Sequence, residues 1–426
     1  MKDKVHYAWF IFLSCCIISF VGFGLTVNTA GLFWGGMSED LHLTRAQISL
    51  NATLNGIAGA VALLFAGTLF KKVNTKLLLS VSFAIVGFGF IACSFIQSIT
   101  PFYVIKVLMG FAQQISIMIS IPILLGNWFE KKLGMLFGIT GALTAVGGSL
   151  FNPLVSDWIL NFGWRTAYTI MGILTLVLLL PISLFIIKFK PENGVMPYGR
   201  ETKDTTVLAG EPAMDTGSES EGASFKNAYK FPAFYLYILA VVALQSAGSL
   251  VQHVPALAEN FGFTLTVGAS VMSALLLGAA AGKFLMGYLL DKVKPGTVVL
   301  LFALVGSMGW YSMGWIHQPL LLNGSGFASG LGQAIVLIAL PLLIRTSFGS
   351  RDYSQFLSII MMFGAISNAL SVYMHGTLFD STQSYSVSLV YNLVMYAVAF
   401  LAILIIIRLG SKKAQPLSPA INQPQH

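Results

Sequence analysis

The sequence predicts an all-α membrane protein with twelve transmembrane helices in two pseudo-symmetric bundles of six. Three observations predict this fold: an apolar composition, twelve apolar stretches of helix length, and one polar segment that divides them six and six. Of the 426 residues, 56% are hydrophobic and 9% are charged, and the mean hydropathy is +0.79. Soluble domains carry about 25% charged residues, so a chain with so few charges must expose most of its apolar surface to lipid.

Each apolar stretch is long enough to cross a bilayer as a helix, which takes about 20 residues. The strands of a membrane barrel would be shorter and would alternate apolar with polar residues, unlike these stretches. The predicted spans cover residues 8–33, 45–70, 76–98, 101–127, 133–158, 166–188, 232–257, 266–290, 297–316, 319–344, 353–379 and 387–408.

The positive charges predict how the chain is oriented in the membrane. With both termini in the cytoplasm, 20 of the 24 lysine and arginine residues lie at cytoplasmic helix ends, and only Arg45 and Arg165 lie at outer ends. Cytoplasmic loops of membrane proteins are enriched in these cations. The net charge of +8 therefore orients the chain and does not indicate a nucleic-acid partner. We expect a multi-pass protein of the cell (inner or plasma) membrane, with both termini cytoplasmic.

A polar segment, residues 189–231, interrupts the apolar pattern. It is rich in Gly, Pro and acidic residues and has too few apolar side chains to form a core of its own. The predicted organisation is thus an N-terminal bundle (1–188), a cytoplasmic linker (189–231), a C-terminal bundle (232–410) and a cytoplasmic tail (411–426).

The two halves of the chain repeat weakly. Six-helix halves related by an axis along the membrane normal are the plan of one large class of transporters. Three matches occur in the same order in both halves. They are GTLFKKV at Gly67 with GYLLDKV at Gly287, IPILLGNWF at Ile121 with LPLLIRTSF at Leu340, and Asp157 and Tyr168 with Asp380 and Tyr391.

These features resemble the major facilitator superfamily over the whole chain. The loop signature of that family, G-x-x-x-D-[RK]-x-G-[RK]-[RK], is half present at Gly287, Asp291 and Lys292, and the resemblance implies that these three residues act in gating. The first-half copy departs from the signature, with Lys71 in the place of the acid and Asn74 in the place of the glycine. The resemblance implies the major facilitator fold and transport by alternating access.

Four segments are similar to the monocarboxylate porter branch of that superfamily, which includes the oxalate:formate antiporters. They are TAGLFWGGMSEDLHLTRAQIS at Thr29, FGWRTAY at Phe162, KPENGVMPYG at Lys190 and FGSRDYSQF at Phe348. The chain departs from the branch at two places. Asn28 stands where animal monocarboxylate carriers have a lysine in the first helix, and the eleventh span lacks the lysine of the oxalate exchanger.

Lys283 is the first candidate for a binding residue. It lies eight residues before Asp291, at a depth of roughly 12 Å along a helix, near the middle of a hydrocarbon core about 30 Å thick. A lysine there costs about 2.5–3.5 kcal/mol on insertion scales. A structural ion pair would explain it, but all 16 acidic residues fall in loops or at helix ends. An anionic substrate is therefore the predicted partner.

The resemblance supports this assignment, because the basic residue at this point of the eighth helix contacts the substrate carboxylate in monocarboxylate porters. We also expect the small residues from Gly278 to Gly282 to leave room beside Lys283. With only one deep cation, a singly charged substrate is favoured over a dianion.

The remaining candidates are polar residues within spans. Lys106 either contacts the substrate or a gate, or has a structural role with its ammonium near the outer face. Five amides either line a cavity or bond neighbouring helices: Asn28, Gln113, Asn152, Gln333 and Asn368. Two histidines, His253 and His375, either relay protons or are inert.

Taken together, the sequence predicts a secondary active transporter of a small organic anion, a monocarboxylate such as lactate, pyruvate or formate. Its partners would be that anion, the bilayer, and protons or a counter-anion, and it would function as a monomer. No ATP-binding or enzyme motif occurs, and the three cysteines form no metal-binding spacing, so neither a cofactor nor a metal is expected. Two alternatives stay open: an exporter of a neutral or amphipathic compound, and a non-transporting membrane sensor.

The predicted orientation places Ser218, in the linker, in the cytoplasm. A Ser218→Cys variant should react with a membrane-permeant thiol reagent in intact cells but not with an impermeant one. Ser384→Cys, in the predicted outer loop after the eleventh span, serves as the positive control for the impermeant reagent. Labelling of residue 218 from outside would overturn the topology.

Overall fold

The computed structural model describes residues 6–191, 196–199, 224–290, 292–349 and 352–413, and twelve membrane helices follow one another through these ranges. The first bundle contains α1 (Ala8–Ile17, Ile18–Phe23, Ala30–Phe33 and Trp34–Asp40), α2 (Arg45–Lys72), α3 (Thr75–Ser94), α4 (Ile99–Gln113, Gln114–Ile119 and Ser120–Trp128), and α5 and α6 (together Leu133–Pro181 and Ile182–Ile186). The second contains α7 (Pro232–Gly248, Ser249–His253 and Val254–Asn260), α8 (Leu265–Leu290), α9 (Pro295–Ser312), α10 (Pro319–Gly332, Ile335–Ala339 and Leu340–Phe348), α11 (Tyr353–Thr382) and α12 (Ser386–Lys413).

The predicted spans and the helices agree. Ten helical segments of the described chain are long and apolar enough to cross a membrane. One of them, Met135–Ile186, holds both α5 and α6, and the first predicted span corresponds to the shorter apolar helix Ala8–Phe23. The all-helical fold of two six-helix bundles is therefore confirmed.

Helix ends in this chain follow ordinary capping chemistry. Thr44 and Gln47 form a reciprocal capping box at the start of α2, and the Asn74 side chain accepts the amide N–H of Lys76 at the start of α3. Gly163 separates α5 from α6 with φ +78° and ψ 158°, a conformation that side-chain-bearing residues rarely adopt. These signals place the turns, and the apolar stretches between them form the helices.

Two hydrophobic clusters form the cores of the bundles. One is built from side chains of α1–α6, with Leu265, Ala269 and Val372 added from the second bundle. The other is built from residues of the second bundle and from Ala228 near the end of the linker. The described parts of the linker lie on the bundles: the Tyr198 amide donates to Trp128 O (2.8 Å), and the Phe225 amide donates to Asp352 Oδ2 (2.7 Å).

Four helices, α1, α4, α7 and α10, depart from α-helical geometry in their middle. In α4 and α10 the departure is a π-helical turn, Gln114–Ile119 and Ile335–Ala339, while α7 contains the 3₁₀ turn Ser249–His253. α1 combines a π-helical turn with a looser stretch and a 3₁₀ turn between Ile18 and Phe33. The four departures occupy corresponding helices of the two halves, first and fourth in each bundle.

Proline explains three of these four departures. Pro122, Pro255 and Pro341 each follow the irregular turn directly or within a few residues. A proline inside a helix lacks the N–H donor and its ring clashes with the carbonyl four residues earlier. The helix must widen or tighten before each proline, which frees carbonyls that pure hydrocarbon could not solvate.

The bundles meet at the end that carries Arg45 and Asp380, which the charge distribution predicts to be the outer end. The Asp380 carboxylate of α11 accepts the amide N–H groups of Arg45 and Ala46 at the start of α2, both at 2.8 Å. Deeper along the same pair of helices, the Thr53 hydroxyl donates to Ala369 O. A carboxylate at a helix N-terminus satisfies free N–H groups and opposes the positive end of the helix dipole.

Close backbone contact accompanies these hydrogen bonds. A Cβ placed on Gly376 of α11 would lie 2.4 Å from Ser49 Oγ of α2, and one on Gly31 of α1 would lie 2.1 Å from Gln252 O of α7. On the other side of the interface, the Ser273 hydroxyl of α8 donates to Ser149 O of α5 (2.9 Å). Small residues thus allow the bundles to pack tightly on this side of the centre.

Replacing Asp380 by Asn should weaken the closed outer end. The substitution removes the charge and turns one acceptor into a donor that faces backbone N–H groups, at a cost of about 2 kcal/mol, on the order of thirtyfold in the open–closed equilibrium. Labelling of a Ser49→Cys reporter by an impermeant thiol reagent should accelerate accordingly.

The matched control for this variant is Asp157→Asn. Asp157 corresponds to Asp380 in the repeat, but its Oδ1 accepts from Asn161 Nδ2 (2.8 Å) within its own helix. This control should leave reporter labelling unchanged. Equal acceleration by both variants would contradict a specific role for the contact between Asp380 and the start of α2.

Candidate functional site

A cavity of about 470 Å³ lies between the two bundles. Its walls come from eight helices: α1, α4 and α5 of the first bundle, and α7, α8, α10, α11 and α12 of the second. All four irregular turns contribute to the lining, through residues such as Val27, Met118, Val251 and Leu337. Met118, Val251 and Leu337 stand four residues before the three helix-breaking prolines, so the widened turns open onto this cavity.

Helix α8 presents one face to the cavity. Met272, Leu276, Ala279 and Lys283 all line it, and their spacing of four, three and four residues places them along one side of an α-helix. The Lys283 side chain is half-buried. No acidic side chain in the described part of the chain forms an ion pair with it.

The small residues beside Lys283 leave room only in part. A Cβ on Gly278 would lie 2.1 Å from Phe327 O, and one on Gly282 would lie 2.8 Å from Leu331 O. These two glycines bring α8 into backbone contact with α10, so the prediction of substrate space was wrong for them, while Ala279 of the same run lines the cavity. The space beside Lys283 opens instead across the α8 face, toward the first bundle.

Three of the five candidate amides line the cavity. Asn28 Nδ2 donates to Thr144 O (3.0 Å), and Asn368 Nδ2 donates to Gln245 O (3.0 Å), so each ties a cavity wall to a neighbouring helix. Gln333 also lines the cavity, and its Nε2 has no hydrogen-bond partner among the described residues. An unpaired buried N–H donor costs free energy until a partner arrives.

The other two amides lie elsewhere. Gln113 lines a smaller adjoining pocket of about 110 Å³, where its Oε1 accepts from Asn55 Nδ2 (3.1 Å) and its Nε2 donates to Thr26 Oγ1 (3.2 Å). Asn152 is fully buried and lines neither the cavity nor this pocket. Their place in a substrate site stays a prediction.

Lys106 lies outside the central cavity, in a box of aromatic rings. Its Nζ is 5.2 Å from the ring centres of Phe90 and Phe102 and 5.4 Å from that of Tyr168. The side chain is only 6% exposed, so the ammonium does not reach the outer surface as a snorkelling lysine would. Cation–π contacts of about 0.5–2 kcal/mol each favour a structural role for Lys106, but the predicted position of its ammonium near the outer face was wrong.

His253 and His375 form a buried pair with ring centres 5.9 Å apart. His253 Nε2 lies 2.9 Å from Val372 O, and its Nδ1 lies 3.0 Å from the Tyr385 hydroxyl. His375 Nε2 lies 3.5 Å from Ser246 O. The pair lies where α7 meets α11, and the His253 ring also packs on Trp34 of α1 with ring centres 4.8 Å apart. Neither histidine ring lines the central cavity.

Of the three predicted gating residues, the structure describes Gly287 and Lys292. Asp291 lies outside the described residues. A Cβ on Gly287 would meet nothing within 4 Å, so that glycine faces open space. The exposed Lys292 lies on the ring of Tyr288, with its Nζ 4.2 Å from the ring centre.

Sequence reasoning missed four polar residues of the cavity: Thr144, Ser249, Gln252 and Tyr396. Gln252 follows Gln245 by seven residues, so helical spacing alone could have placed it on the same face of α7. Tyr396 lies in α12, and its ring packs within reach of Gly306 and Gly332. A tyrosine in a membrane helix is too common a feature to single out from sequence.

The sequence profile of the Major Facilitator Superfamily matches residues 14–372 and, in a second match, residues 236–424. The chain belongs to the Major Facilitator Superfamily. This membership makes the protein a multi-pass secondary transporter. The match is to the superfamily as a whole, without distinction of a branch.

Two curated relatives in the superfamily cover most of the chain. The gallate transporter of Pseudomonas putida is 24% identical over 387 residues, which span 85% of this chain and 84% of the relative. The 3-(3-hydroxy-phenyl)propionate transporter of Escherichia coli (strain K12) is 24% identical over 369 residues, spanning 84% and 85%. Both are named as transporters of aromatic acids.

A solved superfamily structure confirms the fold. A bacterial homologue of the human lysosomal transporter Spinster, in an inward-facing and occupied conformation, aligns with a TM-score of 0.71 at 14% identity. The alignment covers 94% of this chain and 97% of that one.

Cysteine labelling should separate the cavity from the buried interior. In a variant without the three native cysteines, Leu276→Cys should react quickly with a small polar thiol reagent, because residue 276 lines the cavity. Asn152→Cys should react slowly, because residue 152 is fully buried outside it. Similar labelling rates for the two purified variants would show that the cavity is misplaced.

Proposed function

We propose that the protein transports a small organic monocarboxylate, whose carboxylate binds Lys283 in the central cavity. One observation carries this proposal: Lys283 faces the cavity and makes no ion pair with an acidic residue of the described chain. A lysine at mid-membrane depth costs about 2.5–3.5 kcal/mol on insertion scales. A substrate anion offsets that cost only while it is bound, so the charge of Lys283 favours the substrate-loaded state.

The cavity offers one full positive charge and several neutral donors. Gln333 Nε2 is free to donate to a carboxylate oxygen or to a substrate hydroxyl. Lys106, the other intramembrane lysine of the described chain, is held by its three rings. The electrostatic balance therefore favours a substrate with one negative charge.

The body of the substrate is inferred from the rest of the lining. Phe23, Met118, Met272, Leu276 and Tyr396 supply apolar and aromatic surface, and the volume of about 470 Å³ lies within the usual range of about 300–1,000 Å³ for small-molecule sites. This lining favours a carboxylate with an aromatic or apolar body over formate, lactate or pyruvate. The names of the two relatives support the same class.

We infer that transport proceeds by rocking of the two bundles around the cavity. The contacts of Asp380, Gly376 and Gly31 close the predicted outer end of the interface between the bundles. Breaking these contacts would expose the cavity to the outside. The driving force would be proton symport or exchange for a second anion. The buried pair His253 and His375 is the candidate for a proton route, at the contact of α7 and α11.

The Lys283→Met variant tests the proposal. Loss of the ammonium should lower the affinity for the transported carboxylate by about 3 kcal/mol, on the order of a hundredfold. Folding should be preserved, because a costly buried charge is removed. Binding and proteoliposome uptake should be measured for benzoate, 4-hydroxybenzoate, lactate, pyruvate and formate.

Two variants control this experiment. Lys283→Arg should keep part of the activity, since the charge remains but the guanidinium presents different donor geometry. Lys106→Met removes the other buried lysine and should leave carboxylate affinity near the wild-type value. A stable Lys283→Met protein that still binds and moves carboxylates would refute the site, and transport of neutral compounds alone would identify an exporter.

A further inference from the structure

A second cavity, of about 680 Å³, lies at the end of the first bundle that the charge distribution predicts to be cytoplasmic. Four lysines line it: Lys72, Lys76, Lys188 and Lys190. Lys72 is the last residue of α2, Lys76 lies in the first turn of α3, and the other two come from the segment that follows α6. The central substrate cavity shares no residue with this lysine pocket.

The start of α3 forms one wall of the lysine pocket. Asn74 and Thr75 line it, and Thr75 is the first residue of a 20-residue helix. The positive end of the helix dipole therefore points toward the same space as the lysine side chains. Asn74 already accepts the Lys76 amide at 2.9 Å, which fixes this turn in place.

The opposite wall is held by hydrogen bonds from the end of α4. Trp128 Nε1 donates to Lys188 O (2.8 Å), and Asn127 Nδ2 donates to Phe189 O (2.9 Å). The Lys188 ammonium lies 4.9 Å from the ring centre of Tyr7. Phe189 also stacks on Phe70 of α2, with ring centres 6.4 Å apart. The lysines are therefore carried by a fixed backbone on both sides of the pocket.

Among the described residues, no acidic side chain lines the pocket. The sequence of this turn explains the charge, because it reads KKVNTK from Lys71 to Lys76 and has Lys71 where the superfamily signature carries an acid. Four lysines around one pocket concentrate positive charge, and like charges that are close together repel one another. A ligand with a concentrated negative charge would relieve that repulsion.

The surroundings of the pocket indicate where such a ligand comes from. Leu77 in the first turn of α3, and Leu184 and Phe185 just before the segment with Lys188, are 59%, 45% and 77% exposed. These exposed apolar side chains lie within four residues of the lysines along the chain, at the end of helices that we expect to face lipid. The pocket thus lies at the boundary between hydrocarbon and water, where phospholipid headgroups are found.

We propose that the lysine pocket binds the phosphate group of an anionic phospholipid of the cytoplasmic leaflet. The phosphate would lie between Lys72, Lys76, Lys188 and Lys190 at the start of α3, and the acyl chains would run along Leu77, Leu184 and Phe185. Lysine is a common phosphate ligand that acts as a point charge. A basic pocket at the cytoplasmic side of membrane helices is suited to acidic headgroups.

The test measures binding of a short-chain phosphatidylglycerol to the purified full-length protein in detergent, by native mass spectrometry and by thermal stabilisation. Phosphatidylcholine of the same chain length and inorganic phosphate are the comparison probes. The variant carries Lys72→Gln, Lys76→Gln, Lys188→Gln and Lys190→Gln, and its partner carries Arg at the same four positions. The matched control carries Lys226→Gln and Lys294→Gln, which remove two exposed lysines outside the pocket.

Phosphatidylglycerol should bind the wild type more tightly than phosphatidylcholine does. The affinity for phosphatidylglycerol should fall about fivefold for each pocket lysine removed, down to the phosphatidylcholine level in the quadruple Gln variant. The Arg variant and the control should keep most of the affinity. Equal phosphatidylglycerol binding by the wild type and a folded quadruple Gln variant would overturn the proposal. Stabilisation by inorganic phosphate alone, with no added effect of the lipid, would overturn the lipid assignment and leave a site for free phosphate.

Discussion

Hydrocarbon offers no hydrogen-bond partner to a peptide group, and the rest of this structure depends on that constraint. Every long apolar segment must satisfy its own backbone, which helices do. Irregular backbone is tolerated only where protein or a water-filled space receives the freed carbonyls. Pro122, Pro255 and Pro341 create such backbone in α4, α7 and α10, and the residues four positions earlier line the central cavity. The cavity therefore lies where the helices cannot be regular.

The same solvent makes each intramembrane charge costly, and the chain accommodates its charges in different ways. Lys106 is surrounded by three aromatic rings, whose faces attract a cation without adding a second buried ion. Asp380, at a helix end, accepts two backbone N–H groups from the other bundle. Lys283 has neither arrangement among the described residues, and it lines the central cavity.

The internal repeat sets the arrangement of the helices, and the places where the two halves differ make contacts that are not repeated. The π-helical turns of α4 and α10 occupy matching places in the two halves, so the cavity has walls of similar construction on both sides. Asp157 and Asp380 also match, yet one is bonded within its own helix and the other crosses between bundles. The segment from Lys71 to Lys76 has a lysine in the place of the acid of the family signature, and five of its residues line the lysine pocket.

The sequence by itself determined the twelve spans and the six-and-six division, because transfer of a segment into lipid depends on local composition and length. It also singled out Asn28, Gln333 and Asn368, which line the cavity. Only the tertiary structure decided that Gly278 and Gly282 contact α10, that aromatic rings surround Lys106, and that Asn152 is buried outside the cavity. The physical reason is that helices in lipid associate through close packing and interhelical bonds, and a residue's type and depth do not reveal which neighbouring helix it will face.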